Sequence, residues 1–260
     1  MEPVAALVLA GTRGEGDPLA AAEGVRHRAL LPVAGVPMLL RVVRTLRAAP
    51  GVGAIHVSID DPAALDDVPE LAEARAAGVL HVRRSLDSPS CSVLDALESV
   101  GTAPVLVTTA DHALLSGEMV ATFLAGAEET GADVGVGLVS RGLLEARFPG
   151  SKRTWLPFRD DDYSGANLFL FRTPEARRVA AFWRRAESFR KRPWRLVSAF
   201  GPVSLALFLL RRLDLDAALA RASRTVGARI AAVRMPMAEA AVDVDRPADL
   251  ALVTEILDRA

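Results

Sequence analysis

Over the first 140 residues, short apolar runs alternate with helical patterns, and this alternation constrains the fold more than any other feature of the chain. Val4 to Leu9 is continuously apolar and stops at a glycine-containing loop, the pattern of a strand buried on both faces. Similar runs recur over residues 54–59, 79–82, 104–108 and 133–139. Residues 38–46, 70–77, 90–100 and 117–129 lie between them with helical spacing, and Val93, Leu94 and Leu97 share one face. Strands separated by helices predict a parallel, helix-covered sheet, the α/β class.

From residue 141 to 172 the alternation breaks. Residues 154–158 and 167–171 read as shorter strands around the polar turn Arg159-Asp160-Asp161-Asp162. Helical patterns return over 174–189 and 202–226, followed by a strand over 229–233 and a closing helix over 248–257. No repeat, linker or low-complexity segment interrupts the 260 residues, so a single domain is expected.

Composition narrows the class of protein. With 51% hydrophobic and 24% charged residues the chain is globular. Its 31 basic residues nearly cancel its 32 acidic ones, which disfavours a dedicated nucleic-acid binder. Cys91 is the one cysteine, so neither an internal disulfide nor a cysteine-based zinc site can form. Residues 1–9 carry no basic stretch and run on to Gly11, so a signal peptide is not expected. The longest strongly apolar stretch, residues 202–210, falls well short of the ~20 residues of a membrane span. A cytoplasmic location is expected. Lys152 and Lys191 are the only lysines, leaving 31 − 2 = 29 arginines.

Open parallel sheets bind ligands where loops leave the carboxyl ends of their strands. The first such loop reads Leu9-Ala10-Gly11-Thr12-Arg13-Gly14-Glu15-Gly16. Glycines there let backbone N–H groups approach phosphate oxygens, and Arg13 adds a cationic fork. The spacing is not the dinucleotide fingerprint, and no lysine follows to make a Walker loop. The apolar run over 104–108 ends at Ala110-Asp111, which places a carboxylate just past a buried strand. Ser90 and Ser92 open a helical segment and equally suit an N-cap.

Two of these segments carry a resemblance. The Leu9-to-Gly14 loop, then Arg28-Ala29-Leu30-Leu31-Pro32-Val33-Ala34-Gly35-Val36-Pro37-Met38-Leu39, resembles the opening of the MobA-like NTP transferases. That opening reads L-A-G-G-x-G-x-R, a gap, then K-x-L-x-P-v-x-G-x-P-m-l. Three later segments match in order: Ser90 to Leu94, residues 105–115, and Ala241 to Leu250. The resemblance implies a three-layer α/β/α fold of the GT-A type with a mostly parallel mixed sheet. It implies a nucleotide-binding half (1–140) and an acceptor-binding half (141–260).

By the same resemblance, Leu9, Ala10, Gly11, Thr12, Gly14, Ser90 and Ser92 bind nucleotide, and Arg13, Arg28 and Asp111 act in catalysis. Asp111 with Asp243 or Asp245 holds Mg²⁺, and alternation puts both later aspartates on one side of an extended segment. Lys152, Arg153, Gly165 and Asn167 fall near the acceptor. The implied reaction moves an NMP from an NTP, CTP or GTP foremost, to a phosphorylated acceptor, with pyrophosphate released. A homodimer is left open.

The chain departs from the family at two places: Thr12 replaces a glycine and Arg28 replaces a lysine. With arginine so dominant, Arg28 is expected to keep the lysine's role, so that Arg28→Lys preserves or raises activity. The alternatives are a glycosyltransferase of related fold, which expects Asp-x-Asp where Asp111-His112-Ala113 stands, and a non-catalytic nucleotide-binding protein. Finally, residues 172–195 carry nine cations among Phe182, Trp183, Phe189 and Trp194. A helix with buried aromatics and a solvated basic face is favoured there over peripheral contact with an anionic membrane.

Overall fold

The computed structural model describes residues 3–12, 17–101, 104–188, 206–208 and 210–259. Its centre is β1 (Val4–Leu9), flanked in parallel by β4 (Val52–Ile59) and β6 (Val105–Thr109). Next to β4 lies β5 (Leu80–Arg84), again parallel. On the other side β9 (Asp162–Phe171) runs antiparallel to β6 and to β7 (Val134–Ser140). The strand β10 (Ile230–Arg234) closes the order β10-β7-β9-β6-β1-β4-β5, and the short β8 (Leu156–Pro157) pairs β9. The sheet is therefore mixed and mostly parallel, as expected. A two-residue hairpin, β2 (Pro32–Val33) and β3 (Val36–Pro37), stands apart and turns through Ala34 and Gly35, both at positive φ.

Alternate residues of β1 feed two cores. Val4, Ala6 and Val8 pack with α2 (Met38–Ala48) and α5 (Gly117–Thr130). Ala5 and Leu7 pack with α4 (Pro89–Val100) and α7 (Ala176–Ser188) on the opposite face. That double burial explains the unbroken apolar run and makes three layers. Gly126 in α5 has a packing reason: a Cβ there would lie 2.7 Å from a Val233 methyl of β10.

Three expectations change. Residues 154–158 shrink to the two-residue β8, because only Leu156 and Pro157 reach β9. The strand expected over 167–171 begins at Asp162 and so takes in Ser164 and Gly165 as well. Asn167 sits at φ 49° opposite a register shift between Val136 and Leu138, and this bulge breaks the alternation that would have revealed one long strand. The helix expected over 202–226 falls partly outside the described residues, and α8 (Leu215–Val226) starts afresh where the Asp214 carboxylate accepts from the Ala217 N–H. Two short helices gave no periodic signal: α1 (Pro18–Ala22) and α6 (Arg141–Arg147). The closing helix is α9 (Pro247–Asp258).

Candidate active site

A cavity of about 710 Å³ opens over the carboxyl ends of β1, β4, β5 and β6, the place where such sheets bind ligands. Leu9, Gly11 and Thr12 enter it from β1, and Ser85 to Pro89 from the loop between β5 and α4. Glycine at position 11 lets the two loops pack closely: a Cβ there would stand 3.1 Å from Ser85 Oγ, and the serine side chain would have to shift by a few tenths of an ångström. Ala10 lines a smaller adjoining recess with Arg28 and Asp111. Arg13 and Gly14 lie outside the described residues.

Thr12 does not crowd the cavity with its side chain. Its hydroxyl donates to Asp60 Oδ2 at 2.7 Å and its N–H donates to Asp60 Oδ1 at 3.0 Å. Asp60 also pairs with the buried His27, Nε2 to Oδ1 at 2.9 Å.

Arg28 follows His27 on a short turn and reaches three acceptors. One terminal nitrogen donates to Asp17 Oδ2 at 2.9 Å; the other donates to the Val244 carbonyl at 2.7 Å and Asp245 Oδ1 at 3.0 Å. Desolvation lowers its pKa, but Asp17, Asp245 and Asp111 outweigh this and hold it above the usual arginine value. The guanidinium therefore clasps the N-terminal segment to the closing one. Asp17 itself caps α1, accepting from Leu19 and Ala20 N–H groups.

Asp111 stands just past β6, beside the closing segment. The Val244 N–H donates to the Asp111 carbonyl at 3.1 Å, which fixes Asp243 and Asp245 next to it. Oδ1 of Asp111 is buried with no hydrogen-bond partner. Burial, with the charges of Asp243 and Asp245, pushes its carboxyl up to about 6 against the pull of the neighbouring Thr109 hydroxyl and of Arg28. Asp243 accepts from Arg153 at 2.6 Å and from the Asn167 amide at 3.3 Å. Its carboxyl is raised by burial and by Asp245, with Arg153 opposing.

The two later aspartates thus differ in surroundings: the Asp243 side chain is 26% exposed, while Asp245 is 62% exposed and turned to Arg28. An orphaned buried oxygen beside two further carboxylates suits a hard divalent cation. Among the described residues no three His, Cys, Asp or Glu side chains form a ready metal cage. Such an ion would complete its shell with phosphate oxygens and water.

Other expected residues take different places. Ser88, not Ser90 or Ser92, caps α4, accepting from the Cys91 N–H. Ser90 is fully buried and donates to Glu187 of α7 at 2.5 Å. Ser92 lines the cavity and accepts from the Leu86 N–H at 3.0 Å. Arg153 is only 5% exposed and is committed to Asp243 and Asp249, which makes it a support of the closing segment rather than a free anion binder. Lys152 and Gly165 are exposed and do not line the cavity, whereas Asn167 does. His112 lies under the site, fully buried, its imidazole pushed down to about 4 by that burial and so neutral.

The basic segment is mostly structural where it is described. Arg172 donates to the Gly131 and Ala132 carbonyls, Arg177 to those of Leu97 and Gly101, and Arg178 to that of Gly227. These carbonyls sit at the carboxyl ends of α5, α4 and α8, where cations oppose the helix dipole. Residues 189–195 lie outside the described residues. Trp183 was grouped in sequence with this segment, yet it lines the cavity and stacks on Phe169 with centroids 5.9 Å apart. Phe169 faces Val107 across the β6–β9 pair, so an apolar strip floors one side of the cavity. Its signal was the alternation of β9, which the bulge at Asn167 concealed.

The family model of the MobA-like NTP transferase domain matches residues 6–195. A hypothetical transferase from Thermus thermophilus is 34% identical and superposes with a TM-score of 0.78, over 96% of this chain and 100% of its own. CMP:2-keto-3-deoxy-manno-octonic acid synthetase complexed with CTP gives a TM-score of 0.60 at 17% identity, over 100% of this chain and 99% of its own. 4-Diphosphocytidyl-2C-methyl-D-erythritol synthase from Anaerococcus prevotii DSM 20548 gives 0.60 at 11%, over 99% and 97%. At such identities the last two show a shared fold. A comparison with functionally curated proteins returns no match. Among the described residues no helix is long and apolar enough to cross a membrane. By its sequence match and its closely superposing relative, the chain belongs to the MobA-like NTP transferase family, a family of nucleotidyltransferases.

Proposed function

We propose that the protein transfers an NMP from an NTP, CTP or GTP foremost, to a phosphorylated small-molecule acceptor, in a reaction that needs Mg²⁺. The observation that carries this reading is the buried, unpartnered Oδ1 of Asp111 at the floor of the cavity, with Asp243 and Asp245 alongside. Arg153 pairs with Asp243 and Arg28 with Asp245, while burial and both neighbouring aspartates push up the Asp111 carboxyl, so the arrangement favours a bound cation. Asp111 and Asp243 are the residues that would hold it. A bound Mg²⁺ would neutralise phosphate charge and draw the acceptor and the α-phosphate together.

The chain's own groups supply the rest. The Gly11 loop brings backbone against the triphosphate, and Arg28, paired with Asp17 and Asp245, holds together the segments that line the site. Asn167 and Arg153 keep Asp243 in place. An acceptor phosphate oxygen then forms a bond to the α-phosphorus as the bond to the β-phosphate oxygen breaks, and pyrophosphate departs. No protein nucleophile is needed; positioning and charge neutralisation carry the catalysis. CTP finds support in the two structural neighbours whose names specify CTP or a cytidyl product. The glycosyltransferase alternative fits less well, since His112 and Ala113 are buried where a second exposed carboxylate would be wanted. Pyrophosphate release is measured with each NTP, Mg²⁺ and a panel of phosphorylated acceptors. Acceptor-dependent release with one NTP is expected, and none with any NTP overturns the reading.

A further inference from the structure

We propose that Asp60 is a positioning residue for the nucleotide site, and that Thr12 is the anchor it holds rather than a lost glycine. The proposal rests on reading the cavity as an NTP site. Asp60 does not line the cavity; Thr12 and Arg28 do. Yet its carboxylate joins the loops that carry both. It takes the Thr12 hydroxyl at 2.7 Å on one oxygen, and on the other the Thr12 N–H at 3.0 Å and His27 Nε2 at 2.9 Å.

The histidine's role in this junction is fixed by a fourth contact. The Ala29 N–H donates to His27 Nδ1 at 3.1 Å, so Nε2 carries the hydrogen that it donates to Asp60. His27 is 4% exposed and immediately precedes Arg28. Partial burial alone would raise the Asp60 carboxyl, but the bonds from His27 and Thr12 hold it down to about 2. It is therefore a charged acceptor of three donors, and bonds to a charged partner are the stronger kind.

The consequence for the site is specific. Thr12 spends its N–H on Asp60, so at this position the loop is shaped by a side-chain anchor. On the other side of Asp60, the same carboxylate fixes the turn that aims Arg28 at Asp17 and Asp245. A glycine at position 12 would keep the N–H bond and lose the 2.7 Å hydroxyl bond, freeing the loop. One carboxylate thus ties Thr12 to the turn that carries Arg28.

Isothermal titration of CTP and GTP with Mg²⁺ into wild type, Thr12→Val, Thr12→Ser and Asp60→Asn tests this. Steady-state constants for the nucleotide and the acceptor are measured alongside. Thr12→Val keeps the shape and removes the hydroxyl; it is expected to weaken nucleotide binding about tenfold or more. Thr12→Ser should recover most of that loss. Asp60→Asn should also weaken nucleotide binding, with the acceptor's KM moving far less than the nucleotide's; melting temperatures identify any variant that does not fold. Equal nucleotide affinity in wild type, Thr12→Val and Asp60→Asn overturns the positioning role while leaving the NTP site intact. If neither nucleotide binds wild type, ATP and UTP are titrated in the same way, and binding of none of the four overturns the reading of the site and this proposal with it.

Discussion

Arg28 and Asp245, 217 positions apart in the chain, meet at 3.0 Å where both line the cavity. Together with the bonds to Asp17 and the Val244 carbonyl, this contact makes the family's lysine position a three-way fork. The sequence suggested that lysine would serve as well. The geometry argues otherwise, because the guanidinium meets Asp17 with one nitrogen and the Val244 carbonyl and Asp245 with the other, a spread that a lysine's single nitrogen does not reproduce. Arg28→Lys is expected to lower kcat/KM by about tenfold and Arg28→Ala by more, read from pyrophosphate release.

Asp111 gives a stability prediction opposite in sign to its effect on activity. Its folded carboxyl is raised from 3.8 to about 6, so its contribution to stability is full below about pH 4 and is lost as pH rises through about 6. Asp111→Asn removes the buried charge. Without added divalent ions it should be more stable than wild type above pH 6, by about 1–3 kcal/mol, with a higher melting temperature, and equally stable at pH 4 or below. The same variant should lose about a hundredfold or more in turnover. Melting curves from pH 4 to 8 check the first part.

Asp60 predicts the opposite pH window. Its folded carboxyl lies near 2 against an ordinary 3.8, so the stability it provides is present above about pH 4 and lost as pH falls toward 2. Thr12→Val should shrink that acid-induced loss, because one of the bonds holding the carboxylate charged is gone. Acid unfolding followed by circular dichroism gives the comparison.

Arg153 is nearly buried between Asp243 and Asp249, its two contacts at 2.6 and 3.1 Å. Arg153→Met would fill similar volume but leave two partly buried carboxylates unpaired. A loss of about 3 kcal/mol is expected, seen as a lower denaturant midpoint with an unchanged slope. Activity should fall with it, since Asp243 loses one of its two side-chain supports.

The parts of the site that were legible in sequence are the local ones. A buried strand announces itself by its apolar run, and the residues released at its end follow directly, hence Gly11 after β1 and Asp111 after β6. The partners were not legible. Thr12 and Asp60 are 48 positions apart and Asp243 and Arg153 are 90 apart, so no spacing rule connects them. The bulge at Asn167 hid the antiparallel strand that brings Asn167 and Phe169 into the cavity. Trp183 looked like one more aromatic on a basic helix, because nothing local says that a helix passes over a strand. The choice of Ser88 over Ser90 as the cap turned on the backbone of Pro89, which fits the first helical position and leaves the cap to its predecessor.

The most direct test of the account follows the label from an NTP carrying ³²P on its α-phosphate, with Mg²⁺ and a panel of phosphorylated acceptors, for wild type and Asp111→Ala. The account predicts that label appears in an acceptor adduct with one NTP in wild type, with unlabelled pyrophosphate released in equal amount, and that Asp111→Ala forms at most about a hundredth as much. Label that stays in the NTP under every condition, or equal transfer by wild type and Asp111→Ala, would contradict it.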